Sequence, residues 1–279
     1  MLRGFLRLLK GAPQQPIGPD GRMPLGDHLR ELRARLLRSV LVFVVVFIGA
    51  LFVYESLLLE LVMAPYNDAR EVLGADVETK AYMSGATGPL MLLLKLSAVA
   101  AIVATSPYWL YQIWAFILPG LHQKEKKWSR IFAAVAGPLF LGGVALGYYV
   151  LPKGLEVLID FTPAQMENLV EFGEYFSFFT RMLLVFGIAM EIPLFVVMLS
   201  LAGVISGSTL GRYRPWIIVG TFLFAAVATP STDPFSMLAL ALPMVLLFLA
   251  AEVLARFIDR FRRAKQTAAA LGDDELSPL

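Results

Sequence analysis

Two glutamates stand among basic residues in this sequence, where a carboxylate can form charge-paired contacts. Glu31 is surrounded by Arg30, Arg33 and Arg35, and Glu125 stands within a run of lysines. The four-residue spacing of Glu31 and Arg35 favours an ion pair on the surface of a helix, worth about 0.2–0.5 kcal/mol. Glu125, taken alone, is typical of a solvated charge in a polar loop. These residues by themselves therefore favour ordinary surface charges over a binding site.

A third glutamate, Glu191, stands near the middle of a long apolar stretch. If that stretch crosses a membrane, an ionised carboxylate there costs about 2.5–3.5 kcal/mol, so such residues usually face the bundle interior and mark a function. One interpretation is a protonated acid whose hydrogen bond fixes a bend beside Pro193. The alternative is the proton or ion site of a secondary transporter of small solutes, with Lys95 and Arg181 along its pathway. Many such transporters show repeated halves, and this sequence shows none.

Residue composition excludes several classes of catalytic and metal site. The 279-residue chain has no cysteine and only two histidines, His28 and His122. Thiolate chemistry is therefore excluded, and a zinc or haem centre is not expected. The sequence has no phosphate-binding glycine loop, paired catalytic carboxylates or zinc-protease helix motif. We therefore predict a protein that is not an enzyme and that uses no metal or cofactor.

Six apolar stretches provide the predicted framework for these residues. Hydrophobic residues make up 58% of the sequence and charged residues only 16%, whereas about 25% charged residues is usual in soluble domains. A helix needs about 20 apolar residues to cross the hydrocarbon core of a bilayer. We predict an all-α, polytopic integral membrane protein with six transmembrane helices, the two nearest the carboxyl terminus being short. The predicted spans are residues 40–59, 89–111, 131–151, 176–204, 215–229 and 235–257.

The distribution of basic residues predicts which loops face the cytoplasm. Nineteen Lys and Arg residues fall before the first span, in the second and fourth loops and in the tail, whereas only three fall in the outer loops. Because cytoplasmic loops collect basic residues, we predict a multi-pass protein of the cell (inner or plasma) membrane with both termini in the cytoplasm. Residues 24–263 would form one membrane domain. A flexible basic segment over residues 1–23 and a disordered tail over residues 264–279 would flank it.

Five short motifs follow one another along these spans. The first two are His-Leu-Arg-Glu-Leu-Arg-Ala-Arg-Leu at residues 28–36 and Tyr-Gln-Ile-Trp-Ala-Phe-Ile-Leu-Pro-Gly-Leu-His-Gln-Lys-Glu at residues 111–125. Ala64-Pro65, Phe-Gly-Ile-Ala-Met-Glu-Ile-Pro at residues 186–193 and Thr-Pro-Ser-Thr-Asp-Pro-Phe-Ser at residues 229–236 complete the set. Through these motifs the chain resembles the TatC family, the signal-recognising subunits of the twin-arginine protein translocase. The resemblance covers residues 24–263.

The resemblance implies a docking surface for signal peptides that carry consecutive arginines. It would be formed by the segment before the first span and the segment after the second. The matching positions are Glu31, Arg33, Pro107, Phe116 and Glu125. A guanidinium pairs with a carboxylate through two parallel hydrogen bonds, which a lysine ammonium cannot reproduce. Two carboxylates on one surface would therefore distinguish Arg-Arg from Lys-Lys.

The resemblance also implies partner contacts near the turn between the last two spans. Small single-span subunits resembling TatA and TatB would assemble there, at the positions of Thr229, Asp233 and Met237, where relatives often have a glutamine in place of Met237. Asp233 has a second interpretation, as a cap of the sixth span before Pro234. In the family Glu191 lies on a concave polar membrane face. The proton-motive force would drive export, and other copies of the chain and membrane lipids, but no nucleic acid, would be further partners.

Overall fold

The computed structural model describes residues 25–73, 79–117, 126–163, 166, 168–201, 205–229 and 234–274. Most of them are helical, which confirms the predicted predominantly helical class. The chain divides into two compact units, residues 1–188 and 189–279. Three of the predicted features lie outside the described residues: the basic segment of residues 1–23, the docking carboxylate Glu125 and the partner contact Asp233.

Helix α1, Leu25–Phe52, begins in the basic amphipathic segment and continues without a break into the first predicted span. Leu29 and Leu36 are exposed along its first turns, as expected for a segment whose apolar face lies on a membrane. The α-helical hydrogen bonds stop at Val53, and the π-helix Tyr54–Leu58 follows. The first predicted span therefore contains a change of helix type that its hydropathy does not reveal.

Helix α2, Leu59–Leu73, continues the chain from the π-helix. Two tyrosine hydroxyls from later parts of the chain donate to its carbonyl groups. Tyr175 donates to the carbonyl of Val62, and Tyr148 donates to that of Leu61 at 3.0 Å. These bonds tie α2 to the middle of the chain.

Removal of the Tyr175 hydroxyl is expected to destabilise this unit modestly. Tyr175→Phe keeps the ring, which packs against Tyr66 and Phe179, but loses the bond to Val62. The free energy of unfolding should therefore fall by about 0.5–1.5 kcal/mol, which thermal unfolding in detergent micelles measures. Tyr149→Phe is the control, because the Tyr149 side chain is exposed. Equal losses in the two variants would contradict a role for the buried bond.

Helices α3, Gly88–Ala104, and α4, Ser106–Ile117, lie where the sequence predicts the second span, residues 89–111. The chain bends by 56° between them. At the bend, Thr105 Oγ1 donates to the carbonyl of Ala101 at 2.6 Å. Pro107 has no backbone N–H with which to continue the hydrogen bonds of α3. The aromatic residues of α4 therefore lie on a helix with its own direction.

Helices α5, Lys126–Asp160, and α6, Phe172–Leu201, complete the helices of the first unit, and α6 continues into the second. Strands β1, Thr79–Tyr82, and β2, Asn168–Glu171, form a two-stranded parallel sheet, which the sequence does not predict, within the mostly helical fold. Parallel strands need a long crossover connection, and helices α3 to α5 supply it. Each strand has only four residues, too few for hydropathy alternation to indicate a strand.

Four described helices are long and apolar enough to cross a membrane, and α3 with α4 adds a fifth if the pair is one bent span. The predicted fifth span lies in helix α7, Gly207–Ala228, whose first turns carry Arg212 and Arg214 and thus shorten its apolar part. The chain is a multi-pass membrane protein, and the number of six spans stays a prediction. The four helices are Gly26–Phe52, Ala134–Asp160, Phe172–Ser200 and Pro234–Phe261.

In the unit of residues 189–279, α7 packs against helix α8, Pro234–Asp274. Ser206 caps α7, since its Oγ accepts a hydrogen bond from the backbone N–H of Thr209 at 3.1 Å. A buried apolar cluster lies between the two helices. Its members are Leu210, Phe248 and Ala255, with Val196, Ile205, Ile217 and Leu249 packed against them.

Helix α8 runs to Asp274, although the sequence predicts a disordered tail from residue 264. The helix over residues 264–274 has a local cause. Residues 264–271 include four alanines together with lysine, glutamine and leucine, all of which are strong helix formers. A helix that is already nucleated in the membrane span can therefore continue into the polar segment.

Candidate functional site

The amino-terminal part of α1 holds Glu31 in a partly buried ion pair. Arg35 Nε donates to Glu31 Oε1 at 2.9 Å, and Arg35 Nη2 donates to the same oxygen. The Glu31 and Arg35 side chains are only 24% and 19% exposed. The ion pair that the four-residue spacing predicts is therefore confirmed, and its burial distinguishes it from a freely solvated surface pair.

Arg35 also connects α1 to α4. Its Nη1 donates to Gln112 Oε1 at 3.1 Å, and the Gln112 side chain is buried. A guanidinium has five N–H donors in one plane, so Arg35 holds a carboxylate and an amide at once. Glu31 is thereby fixed at the contact between two segments that are 77 residues apart in sequence.

An aromatic contact accompanies this polar one. The His28 and Phe116 rings are stacked, with centroids 4.2 Å apart and planes inclined by 12°. His28 and Arg35 are two turns apart on α1, whereas Gln112 and Phe116 are one turn apart on α4. The two contacts between the helices therefore lie on either side of Glu31. The structure thus brings together the segments that carry Glu31 and Phe116, two of the five predicted docking residues.

The other three predicted docking residues are placed differently. Arg33 is exposed on α1, and Glu125 lies outside the described residues. Pro107 lies in the first turn of α4, and a Cβ added to Gly137 of α5 would be only 2.8 Å from the Pro107 Cβ. It precedes Phe116 by nine residues, about 13 Å along a helix. Pro107 therefore positions α4 and is not part of the contact around Glu31.

Glu191, the predicted intramembrane acid, lies in α6 two residues before Pro193. Both of its carboxylate oxygens are buried. Burial is expected for an intramembrane acid that faces protein rather than lipid. Whether Glu191 fixes a bend or serves as a proton or ion site stays a prediction.

Two of the predicted partner-contact residues can be placed within the second unit. The Thr229 side chain is buried, and its Oγ1 donates to the carbonyl of Ala225 at 2.8 Å. Met237 lies in the first turn of α8 and is half-buried. The Thr229 hydroxyl therefore caps the carboxyl-terminal end of α7. A contact of Thr229 and Met237 with partner helices stays a prediction.

Sequence reasoning missed a buried acid in α8. Glu252 is only 2% exposed and forms ion pairs with Arg214 of α7 at 2.7 Å and with Arg256 at 2.6 Å. The hydrogen bond to Glu252 raises the pKa of the Arg214 guanidinium above its ordinary value. A signal was available, since Glu252 stands in the sixth predicted span with an arginine four residues later. The same spacing had indicated the Glu31–Arg35 pair.

Comparison with known proteins identifies one family over most of the chain. Residues 27–243 match the family described as TatC, Sec-independent protein translocase protein. The matched range runs from α1 into the first turns of α8. It therefore includes Glu31, Gln112 and Phe116 together.

Curated relatives named Sec-independent protein translocase protein TatC agree with this match. The protein of Frankia casuarinae is 41% identical over 270 residues, which cover 93% of this chain and 74% of the relative. That of Corynebacterium kroppenstedtii is 39% identical over 283 residues, 94% of this chain and 68% of the relative. That of Xylanimonas cellulosilytica is 39% identical over 253 residues, which cover 91% of this chain and 90% of the relative.

Two solved structures share the fold. One is a crystal structure of the twin arginine translocase receptor TatC, with a TM-score of 0.64, 30% identity and coverage of 82% of this chain and 98% of that one. The other, of the same receptor in DDM, has a TM-score of 0.65, 30% identity and coverage of 82% and 99%. Sequence and fold thus agree over most of the length. The chain belongs to the TatC family of Sec-independent protein translocase proteins.

Proposed function

We propose that this chain is the receptor and core subunit of a twin-arginine translocase and binds Arg-Arg signal peptides at its cytoplasmic face. In this proposal the chain has six spans, and both termini lie in the cytoplasm. Family membership supports the translocase assignment, and both solved neighbours are called twin arginine translocase receptors. The observation that carries the proposal is the contact of α1 with α4 on either side of Glu31.

The geometry around Glu31 supports recognition of a guanidinium. Both bonds from Arg35 end on Oε1, so neither uses the lone pairs of Oε2. An incoming arginine can donate two of its N–H groups to Oε2, as Arg35 does to Oε1, whereas a lysine is a single point charge. At an effective dielectric constant near 20, one such pair is worth at most about 4 kcal/mol before desolvation.

A second carboxylate and an aromatic ring complete the proposed docking surface. Glu125 would accept the second arginine of the signal peptide, and Phe116 would pack beside the pair. The basic charge of this region would otherwise repel such a ligand. Part of that charge is neutralised within α1, because Arg35 pairs with Glu31 and Arg30 lies 3.6 Å from Asp27.

Assembly with TatA- and TatB-like single-span subunits is proposed near Thr229, Asp233 and Met237. Helix α7 supports this location, because it carries exposed apolar side chains at helical spacing. An exposed stripe of this kind suits a neighbouring apolar helix. The stripe consists of Trp216, Val219, Leu223 and Val227.

Export of folded proteins would be driven by the proton-motive force, worth about 2.3 kcal/mol per charge per 100 mV.

Site-specific crosslinking tests the proposal directly. A photoreactive residue replaces Leu32, which is exposed on α1 next to Glu31, and labelled leaders with Arg-Arg or Lys-Lys are added to the full-length protein in membranes. Loss of one charge-assisted bond, about 1.5–3 kcal/mol, should lower the yield for Lys-Lys about tenfold or more. A photoreactive residue in place of the exposed Tyr149 is the control position. Equal capture of both leaders at position 32 would overturn the receptor assignment.

A further inference from the structure

The unit of residues 189–279 contains a second polar contact, which the proposed docking surface does not use. Arg214 donates to the two Glu252 carboxylate oxygens, from Nε at 2.8 Å and from Nη2 at 2.7 Å. Arg256 Nη2 lies 2.6 Å from Glu252 Oε1. One carboxylate, 2% exposed, is therefore shared by two guanidiniums from different helices.

Two glycines of α7 make room for this arrangement. A Cβ on Gly207 would lie 2.5 Å from the backbone nitrogen of Arg256. A Cβ on Gly211, one turn later, would overlap Arg256 Nη2. The Gly207 N–H also donates to Asp259 Oδ2 at 2.7 Å. Because α7 and α8 approach closely at Gly207 and Gly211, the Arg256 side chain packs directly against the backbone of α7.

The two arginines retain positive charge and hydrogen-bond donors. Their side chains are 45% and 49% exposed. Each guanidinium has five N–H donors, and the bonds to Glu252 use only some of them. The two carboxylates here, Glu252 and Asp259, do not offset the charge of four arginines, because exposed Arg212 and Arg260 stand close by in sequence on the same helices. The surface is thus suited to an anion that accepts several hydrogen bonds.

The residues around Arg214 and Arg256 indicate that an anion bound there would lie at the boundary of a membrane. Trp216 is 74% exposed, two residues after Arg214, and Tyr213 and Phe257 are exposed beside the two arginines in sequence. Trp and Tyr are enriched at the headgroup level of membranes. The apolar part of α8 that is able to cross a membrane also ends here, at Phe261.

We propose that Arg214 and Arg256 bind the phosphate of an anionic phospholipid headgroup. Glu252 acts as the buried carboxylate that holds the two guanidiniums side by side, so that they present their remaining N–H groups to one phosphate. Basic pockets between membrane helices bind lipid headgroups in this way. The site is separate from the surface around Glu31 and does not depend on signal-peptide binding.

Lipid titration of the full-length protein in detergent micelles tests this site. Phosphatidylglycerol or phosphatidylcholine is added, and bound lipid is counted by native mass spectrometry while the melting temperature is followed. The parent protein should retain phosphatidylglycerol and gain thermal stability from it, and phosphatidylcholine should have little effect. Equal retention of the two lipids would overturn the proposal.

Arg256→Gln is the principal variant, because it leaves the two bonds between Arg214 and Glu252 in place and so keeps the buried carboxylate paired. Its affinity for phosphatidylglycerol should fall about tenfold, the effect of losing one charge-assisted hydrogen bond. Arg260→Gln removes the same charge one turn further along α8 and should bind nearly as well as the parent protein. Equal losses in both variants would mean general attraction to a basic surface, which contradicts a built site.

Two further experiments distinguish a lipid-binding site from a purely structural ion pair and from a site for a soluble phosphate. Glu252→Gln keeps the shape of the side chain and makes the surface more positive, but it removes the carboxylate that holds the two guanidiniums side by side, so lipid affinity should fall. Unchanged or increased affinity in this variant, when its helical circular dichroism equals that of the parent, would mean general attraction to positive charge and would overturn the proposal. Free glycerol phosphate should fail to displace the lipid. Displacement at matched concentration would assign the site to a soluble phosphate instead.

Discussion

Glu31→Gln is expected to weaken the binding of an Arg-Arg signal peptide by about tenfold or more. The variant keeps the size of the side chain and an oxygen that can accept from Arg35, so the contact of α1 with α4 should survive. What it loses is the negative charge that an incoming guanidinium requires. Hydrogen bonds to charged groups contribute about 1.5–3 kcal/mol, and each 1.4 kcal/mol is a factor of about ten in affinity. Fluorescence anisotropy with a labelled signal peptide measures the change.

Asp27→Asn is the matched control for this prediction. It removes the same charge one turn earlier on α1, from a carboxylate whose partner Arg30 is 3.6 Å away and 66% exposed. Its effect on peptide affinity should be small, because exposed pairs of this kind contribute little. Similar losses in both variants would mean that only net charge matters. Unchanged affinity after Glu31→Gln would remove Glu31 from the docking surface.

Gly137→Ala in α5 is expected to lower both the stability of the protein and its affinity for the signal peptide. The added Cβ would lie 2.8 Å from the Cβ and 2.9 Å from the Cα of Pro107. Since a backbone atom must move, overpacking should lower the free energy of unfolding by about 1–3 kcal/mol. The shift of α4 would also move Gln112 and Phe116 away from α1. Thermal unfolding and peptide affinity should therefore fall together.

Gly142→Ala on the same helix should act in the opposite direction. A Cβ at Gly142 meets no heavy atom within 4 Å. Alanine reduces the conformational freedom of the unfolded chain, which should stabilise the protein by about 0.4–1 kcal/mol. The two substitutions are chemically identical, so opposite signs isolate the contact with Pro107. A rise in melting temperature for both would contradict a tight contact at Gly137.

Much of the framework could be predicted because its signals are local. Long apolar stretches indicate where helices cross a membrane, and the four-residue spacing of Glu31 and Arg35 indicates their ion pair. The bend at Thr105 could not be predicted in this way. Apolar residues continue on both sides of Thr105 and Pro107, and hydropathy carries no information on helix direction, so the sequence predicts one span where the structure has two helices at an angle of 56°. The short parallel strands could not be predicted for a related reason, since their pairing joins segments that are far apart in sequence.

The contacts that build the candidate site depend on the folded chain. Gln112 and His28 were not predicted as site residues, because their importance comes from Arg35 and Phe116 on the other helix. Glu252 was missed because a long apolar stretch around it favoured a simple span. Its second partner, Arg214, is 38 residues away. Packing of α7 against α8 brings the two together, and no local pattern records it.

The unbroken course of α1 gives the docking end a mechanical connection to the other end of the helix. Its 28 residues form a rod about 42 Å long. If ligand binding tilts the rod by about ten degrees at His28, the far end at Phe52, about 36 Å away, swings by about 6 Å. The wider π-helical turn that follows would then work as a joint. A small movement at the amino-terminal end of α1 would become a larger one at its carboxyl-terminal end, with no side chain required to relay it.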